Sequence, residues 1–275
     1  MMIFARFARL LAMTAAFSAC PGAYAAPEGA PNPVELRIEV YAFAGLHVLT
    51  NRTTIDASAD RYAIATDIDT RGIASIFVDL NSHSEAHGRL TGDAVIPEAY
   101  RSDVRRNGVD RQYRIDYRKT GPAASEWAPP ADSWRSPVPP DELRGTVDQL
   151  TAYFIVERQL EQRGSCALSV PVFDGHGRYD LRFTDARPER LATFGPHDFA
   201  GPIHVCDVTR EDVAGFPGDR DQAEGTYQRG RVWYARLASG GHMVPVRIEY
   251  DTEFGIVTGY LAELRGPGID RRFME

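Results

Sequence analysis

The sequence contains one lysine, Lys119, so 30 of its 31 basic residues are arginine, a bias that reads as coding preference before chemistry. The formal net charge is −7, which excludes a general binder of polyanions such as nucleic acid. Only three cysteines are present and no C-x-x-C, so thiol-disulfide catalysis has no motif to stand on. Gly-x-Ser-x-Gly, His-Glu-x-x-His, a Walker loop and a complete Gly-x-Gly-x-x-Gly are all missing. The common serine-hydrolase, zinc-protease and nucleotide-binding signatures are therefore absent, and no cofactor is indicated. After the first 25 residues no apolar run is long enough to span a bilayer as a helix. What remains is ordinary for a globular chain: 275 residues, 43% hydrophobic, 25% charged and 10% aromatic.

The N-terminus reads as an export signal. Arg6 and Arg9 precede an uncharged apolar stretch from Leu10 to Ala19, and Ala23-Tyr24-Ala25 places small residues where a signal peptidase reads them. Cleavage is expected between Ala25 and Ala26, leaving a soluble periplasmic chain of net charge −9. The alternative is a lipoprotein acylated at Cys20, since Phe17-Ser18-Ala19-Cys20 approaches that signal, although Phe17 and Pro21 depart from it. Cleavage after Ala25 leaves Cys166 and Cys206. Parity and compartment favour one intramolecular disulfide, with free thiols or an intermolecular bridge as alternatives. A bridge closing that loop would stabilise the fold by ~4 kcal/mol.

Beyond a Pro-rich linker at 26–33, the chain reads as one β-rich domain over 34–275. Val34, Leu36, Ile38 and Val40 alternate with Glu35, Arg37 and Glu39, the period of a half-buried strand. Further strands are expected at His47–Ile55, Arg61–Thr70, Asn81–Leu90, Tyr100–Arg106 and Arg111–Lys119. Asn107-Gly108 is a strong hairpin signal between the last two. A helical turn or two is expected within Ile73–Leu80. Gly121–Pro140 carries six prolines and reads as a loop crossing between two halves of the fold, with a domain linker as the competing reading. One helix is expected at Thr146–Gln162, opened by a Thr146/Gln149 capping box. Its buried stripe comprises Val147, Leu150, Tyr153 and Phe154, and Glu157, Arg158 and Glu161 occupy a polar half. Strands return at Cys166–Phe173, Arg178–Thr184, Ile203–Val208, Arg231–Ala238, Val244–Tyr250 and Ile256–Leu264, with a polar loop at Phe216–Arg229. The pattern predicts a mainly β fold: a curved antiparallel sheet, spiral or half-open barrel, with one packed helix and one disulfide.

Two clusters carry candidate chemistry. His83, Glu85 and His87 alternate on a strand and could share a face, a ligand set suited to zinc. Strand geometry spreads them over ~13 Å, so a solvated polar stripe is the better reading. Asp174 and His176 could form an acid–base pair, but Asp174-Gly175-His176-Gly177 is also what a tight turn between strands demands. In Arg111–Lys119, Tyr113, Ile115 and Tyr117 sort to the inside and Gln112, Arg114, Asp116 and Arg118 to solvent, a core strand rather than a nucleic-acid surface.

From Gly145 onward the residues resemble a "domain of unknown function" family of proteobacterial periplasmic β-rich proteins. The carriers are Gly145-Thr-Val-Asp148, Cys166, Pro171-Val-Phe-Asp-Gly-His-Gly-Arg-Tyr-Asp-Leu-Arg-Phe183, Gly201, Cys206-Asp-Val, Ala214-Gly215-Phe216, Val244-Pro-Val-Arg-Ile248 and Phe254-Gly255. The Phe173-Asp174-Gly175 turn and the two cysteines are its more specific parts. A looser similarity links the chain to β-spiral envelope-integrity proteins, and a remoter one to half-barrels that shield acyl chains. The resemblance implies a periplasmic β-rich fold and no catalytic residue. Function is accordingly expected to be non-enzymatic: support of the cell envelope by binding a periplasmic protein partner or an apolar lipid or acyl ligand on the curved sheet. Either Tyr62, Ile64 and Ile68 or Tyr113, Ile115 and Tyr117 would line the groove. The alternative is an envelope hydrolase or metal-dependent enzyme using a His/Asp/Glu cluster.

Overall fold

The computed structural model describes residues 33–42, 45–70, 72, 75, 79–118, 121–128, 138–187, 189–191, 199–216, 229–237, 242–252 and 255–274. The expected signal with Cys20, Ala25 and Ala26, the linker up to residue 32, most of the expected helical turn at 73–78 and most of the loop at 217–228 lie outside them.

Alternation carries the first half of the chain through a run of consecutive hairpins. These are β1 (Val34–Ala42), β2 (Leu46–Ala57), β3 (Arg61–Thr70), β4 (Leu80–Thr91), β5 (Ala94–Arg106), β6 (Val109–Arg118) and β7 (Gly121–Ala128). The turn between β5 and β6 places Asn107 at φ 51° and Gly108 at φ 79°, as a tight hairpin requires. The chain then passes through helix α1 (Gln149–Arg163) to a second meander of β8 (Leu168–Phe173), β9 (Arg178–Asp185), β11 (Gly201–Ala214), β12 (Arg229–Arg236), β13 (Met243–Thr252) and β14 (Gly255–Gly266). The short strands β10 (Glu189–Leu191) and β15 (Ile269–Arg272) add to β11 and β14. β1 pairs with β14, which fuses the two meanders into one continuous antiparallel sheet in the order β7-β6-β5-β4-β3-β2-β1-β14-β13-β12-β11-β9-β8.

The sheet does not close: β7 and β8 stand at opposite edges, and the chain between them, with α1, connects one edge to the other. It nevertheless curls until β6 approaches the β8–β9 turn, where the Tyr113 and His176 ring centroids are 4.3 Å apart. The expected fold class is what the chain adopts. Cys166 and Cys206 are bonded, their Cα atoms 6.2 Å apart.

Helix α1 lies inside the curl. Ala152, Val156 and Leu160 pack with Val170, Val172, Leu181 and Phe183 on one wall, and the disulfide is part of the same core. Phe154 joins a second core built on β1, β3 and β14 with Tyr62, Ile64 and Leu261. Its ring stacks on Tyr62 at 5.0 Å between centroids.

Four sequence expectations need correction. Asp148, not Thr146, caps the helix: its carboxylate accepts from the Thr151 N–H at 2.8 Å, whereas the Thr146 hydroxyl donates to the Leu143 carbonyl. The helix therefore starts at Gln149, and Gly164 ends it in the left-handed conformation at φ 66°. Second, Gly121–Ala128, read as part of a crossing loop, pairs with β6 as a strand; its Pro122 is tolerated because β7 is an edge. Third, β5 begins at Ala94 rather than Tyr100, with Pro97 opposite Gly88 where the β4–β5 register shifts, a bulge that relieves the missing N–H. Finally, β10 and β15 were not anticipated, being too short to show a period.

Candidate functional site

Because α1 is packed tightly against one wall of the curl, it leaves space against the other. A cavity of about 500 Å³ lies between helix and sheet. Its sheet wall is made by alternate residues: Leu36 and Ile38 on β1, Thr53 and Ile55 on β2, Ile64, Thr66 and Ile68 on β3, Ser82 and Ser84 on β4, Tyr100, Ser102 and Val104 on β5, and Tyr113 on β6. Tyr234, Pro245, Ile248 and Tyr250 of β12 and β13 close the far side. The helix presents Gln149, Leu150, Tyr153, Phe154 and Glu157, and the β8–β9 turn presents Asp174 and His176.

Most polar groups on this lining bond to one another. The Asn51 Oδ1 accepts from Thr53 at 2.9 Å and from Thr66 at 3.2 Å. Ser84 and Ser102 share a hydrogen bond of 2.8 Å, and both bond the Tyr100 hydroxyl, whose burial pushes its pKa up to about 12. The Tyr153 and Tyr250 hydroxyls lie 3.1 Å apart.

Glu157 differs. Among the described residues it has no hydrogen-bond or ion-pair partner, and burial followed by the neighbouring Glu161 charge pushes its pKa up to about 8. Glu161 itself is occupied, accepting from the Met243 N–H at 2.9 Å with His242 Nδ1 at 3.1 Å, and these contacts hold its pKa below the usual carboxylate range despite its burial. Sequence reading put Glu157 in a polar half of the helix. Its spacing of three and four residues from Phe154 and Tyr153 was the available signal that it shares their face.

At the helix N-terminus the cavity is bounded by a buried polar lock. The Asp148 carboxylate accepts from the Thr151 N–H and hydroxyl at 2.8 and 2.7 Å and from the Tyr117 hydroxyl at 3.4 Å, and Tyr62 bonds Thr151 at 2.9 Å. Complete burial outweighs these bonds and raises the Asp148 pKa to about 6. The two aromatic sets expected to line a groove thus share the concave face but divide there. Ile64, Ile68 and Tyr113 line the cavity, Tyr62 and Tyr117 hold the helix, and Ile115 is core.

Asp174 and His176 reach the cavity without forming an acid–base pair. Asp174 Oδ1 accepts from the backbone N–H groups of His176 and Gly177, both at 2.9 Å, and lies 3.7 Å from the His176 ring nitrogen. Gly175 turns the chain at φ 94°, and Phe173 is buried behind it. The turn also packs on Ala214-Gly215-Phe216: a Cβ on Gly177 would sit 2.2 Å from the Phe216 ring, and one on Gly215 2.4 Å from the His176 carbonyl.

His83, Glu85 and His87 do share a face, but it is the opposite one from Ser84, Ala86 and Gly88, which are buried. His83 is bonded to Asp67 at 2.7 Å and to Glu85 at 3.0 Å, two contacts that raise its pKa, and His87 does not join them in a ligand cluster. Among the described residues, the ligand-type atoms that do cluster are those of Cys166, Cys206 and His204. There the sulfurs are bonded to each other and His204 Nε2 rests on Asp185 Oδ1 at 2.6 Å, so the group is a disulfide beside an ion pair.

No helix among the described residues is long and apolar enough to cross a membrane. No curated protein matches the chain. Solved structures resemble it at low sequence identity. One is a β-barrel-like protein of the domain of unknown function DUF1849 from Brucella abortus, 10% identical over 87% of this chain and 99% of that one, with a TM-score of 0.48. Another is a "putative lipoprotein" from Parabacteroides distasonis, 12% identical over 84% and 94%, with a TM-score of 0.32. The family model for proteins of unknown function designated DUF3108 matches residues 37–262, well over half of the sequence, and the chain belongs to that family.

Proposed function

We propose that this chain is a non-catalytic, exported binding protein that holds an apolar, acyl-chain-like ligand between the concave face of its sheet and α1. The observation that carries the reading is the cavity itself. Its volume falls within the range of small-molecule sites, about 300–1,000 Å³. Its walls combine aliphatic and aromatic side chains with polar groups, of which Asn51, Thr53, Thr66, Ser84, Ser102, Tyr153 and Tyr250 are bonded among themselves. Ser84 and Ser102 on its wall bond each other and Tyr100 rather than a histidine, so neither is paired with a base. The Cys166–Cys206 bond supports action in an oxidising compartment, in keeping with the expected cleavage between Ala25 and Ala26. Continuity of the sheet through the β1–β14 pair supports one domain spanning 34–275. Envelope support would follow from carriage or sensing of such a ligand.

The test is native mass spectrometry of protein isolated from the periplasm, followed by delipidation and titration with an apolar fluorescent probe. A retained adduct of lipid mass and saturable probe uptake are expected. Val104→Trp, which fills the cavity, is expected to weaken uptake at least tenfold without lowering thermal stability, while Ile256→Trp on the exposed surface leaves it unchanged. A ligand-free native mass together with no probe uptake overturns the reading and redirects the search to a protein partner.

A further inference from the structure

We infer that the occupant of this cavity is an amphiphile whose head group carries a protonated amine, and that Glu157 is the residue that receives it. The inference rests on the binding function proposed above and names the ligand class. Its ground is the sign of the charges. Thirty of the chain's residues are arginine, yet the described lining of the cavity holds no arginine and no lysine, while it holds the carboxyl groups of Glu157 and Asp174. Asp174 is committed to the turn backbone. Glu157 has no partner among the described residues and lines the cavity from the helix, the one ionisable carboxyl there whose hydrogen-bonding capacity is unused.

Basic side chains on the helix and around the cavity make other contacts. Arg158 donates to the Gly92 carbonyl at 3.4 Å and stands 5.9 Å over the Phe154 ring. His242 is on Glu161, and His176 lies against Tyr113. Glu157 is half-buried on the cavity wall, and a carboxyl left without a partner among the described residues is a ready acceptor for a ligand cation. An ammonium head completes this one. A carboxylate or phosphate head would find no arginine or lysine in the described lining to balance its charge.

The pairing has a proton balance that can be measured. In the empty cavity burial keeps most of Glu157 protonated at pH 7. Docking of R–NH3+ draws off that proton, forming the Glu157 carboxylate–ammonium pair and releasing one H+ to buffer. A neutral alcohol of the same chain length binds by hydrogen bonding alone and releases none.

The experiment uses delipidated protein at pH 7 with dodecylamine, dodecanol and dodecanoic acid competing against the apolar probe, each repeated by calorimetry in two buffers of different ionisation enthalpy. The amine is expected to displace the probe at concentrations at least tenfold below the acid and to release a proton on binding. In Glu157→Gln, which keeps the size and hydrogen bonding of the side chain, the alcohol binds as before, the advantage of the amine over the alcohol disappears, and no proton is released. The inference is overturned if the acid competes as well as the amine, or if Glu157→Gln leaves the order and the proton release unchanged. If none of the three displaces a probe that the protein does bind, the ligand class is wrong while the cavity reading stands. If the probe itself fails to bind, both fall.

Discussion

Asp148 makes an unusual prediction, that removing a charge which caps a helix leaves the protein more stable at neutral pH. Its carboxylate is fully buried, and its pKa is raised from 3.8 to about 6. An acid whose pKa is raised by folding contributes most stability below its unfolded pKa, and that contribution is lost as pH rises through the folded value. The window is therefore pH 4 to 6, and a shift of about two units corresponds to ~3 kcal/mol. Asparagine at this position retains an oxygen for the Thr151 N–H. Its NH2 can donate to the Thr151 and Tyr117 hydroxyls, which rotate to accept, so the cap survives without a charge to desolvate. Alanine, by contrast, strips the cap and leaves two hydroxyls and an N–H without their acceptor.

The assay is urea denaturation of wild type, Asp148→Asn and Asp148→Ala with the disulfide intact, at intervals from pH 4 to 8. The quantity read is the difference between variant and wild type, which cancels the titration of every other carboxylate. Asp148→Asn is expected to gain on the wild type by ~3 kcal/mol between pH 4 and pH 7, equivalent to roughly 6–12 °C in Tm for a domain of this size. Asp148→Ala is expected to fall below Asp148→Asn by ~2 kcal/mol at every pH, from the lost cap and the unsatisfied groups. A difference between Asp148→Asn and wild type that stays flat from pH 4 to 7 would refute the reasoning, because it would mean that the carboxylate ionises inside the fold as easily as outside.

Glu39 should show the opposite slope. It is buried on β1, accepts from the Thr50 hydroxyl at 2.6 Å and pairs with Arg37 and His47, and these contacts hold its pKa below the usual carboxylate value against the pull of burial. Stability from such a group is present above its unfolded pKa and lost as pH falls through the folded one. Glu39→Gln is thus expected to cost ~2 kcal/mol at pH 7 by removing the charge that faces Arg37 and His47, although Arg37 keeps its bond to Glu263 at 3.0 Å, with the deficit shrinking below pH 4; a deficit that grows on acidification sinks the assignment. Gly88→Ala is expected to cost at least ~3 kcal/mol in the same urea assay, the upper end for overpacking. A Cβ there would lie 2.2 Å from the Ile96 carbonyl oxygen, a backbone atom that cannot step aside, and 2.7 Å from the Tyr62 ring. A loss under ~1 kcal/mol would show that the β4–β5 bulge yields more readily than this packing implies.

Strand positions were legible because one face of each strand is buried and the other is not, and that asymmetry is written as period two. In β1 and β3 the residues expected to point together, Val34 to Val40 and Tyr62 to Ile68, do so. The failures have local causes. Thr146 and Gln149 have the spacing of a capping box, but Asp148, two residues further on, takes the Thr151 N–H and sets the start of the helix there. Pro122 argued against a strand only because its place at the sheet edge was unknown. The candidate site was less legible, since each aliphatic residue on its wall looks like core. Ile64 and Ile115 carry the same signal, yet Ile64 lines the cavity and Ile115 has no exposure at all. What separates them is how far a helix of 15 residues extends across a curled sheet, a long-range fact with no local pattern.

That geometry ties the cavity to the lock beside it. Ala152 and Val156 seat α1 against β8, β9, β11 and β12, a wall stiffened by the disulfide between Cys166 and Cys206. On the opposite side the helix meets the first meander chiefly through Phe154 on Tyr62, the Thr151–Tyr62 hydrogen bond and the Asp148–Tyr117 hydrogen bond. The two hydrogen bonds sit at the helix N-terminus, whereas Tyr153, Phe154 and Glu157 face the cavity within the next two turns. On the function proposed above, a ligand between α1 and β3–β5 would press on the side held by the Phe154–Tyr62 stack and two hydrogen bonds rather than on the disulfide-stiffened wall. Opening on that side would part Tyr117 from a carboxylate whose charge state changes near pH 6, which would tie the width of the cavity to the protonation of Asp148. The Asp148→Asn variant tests this as well. With the charge gone and the bonds kept, the cavity should lose whatever dependence of probe uptake on pH between 4 and 7 originates at the lock, while the dependence arising at Glu157, whose pKa is about 8, should persist at higher pH.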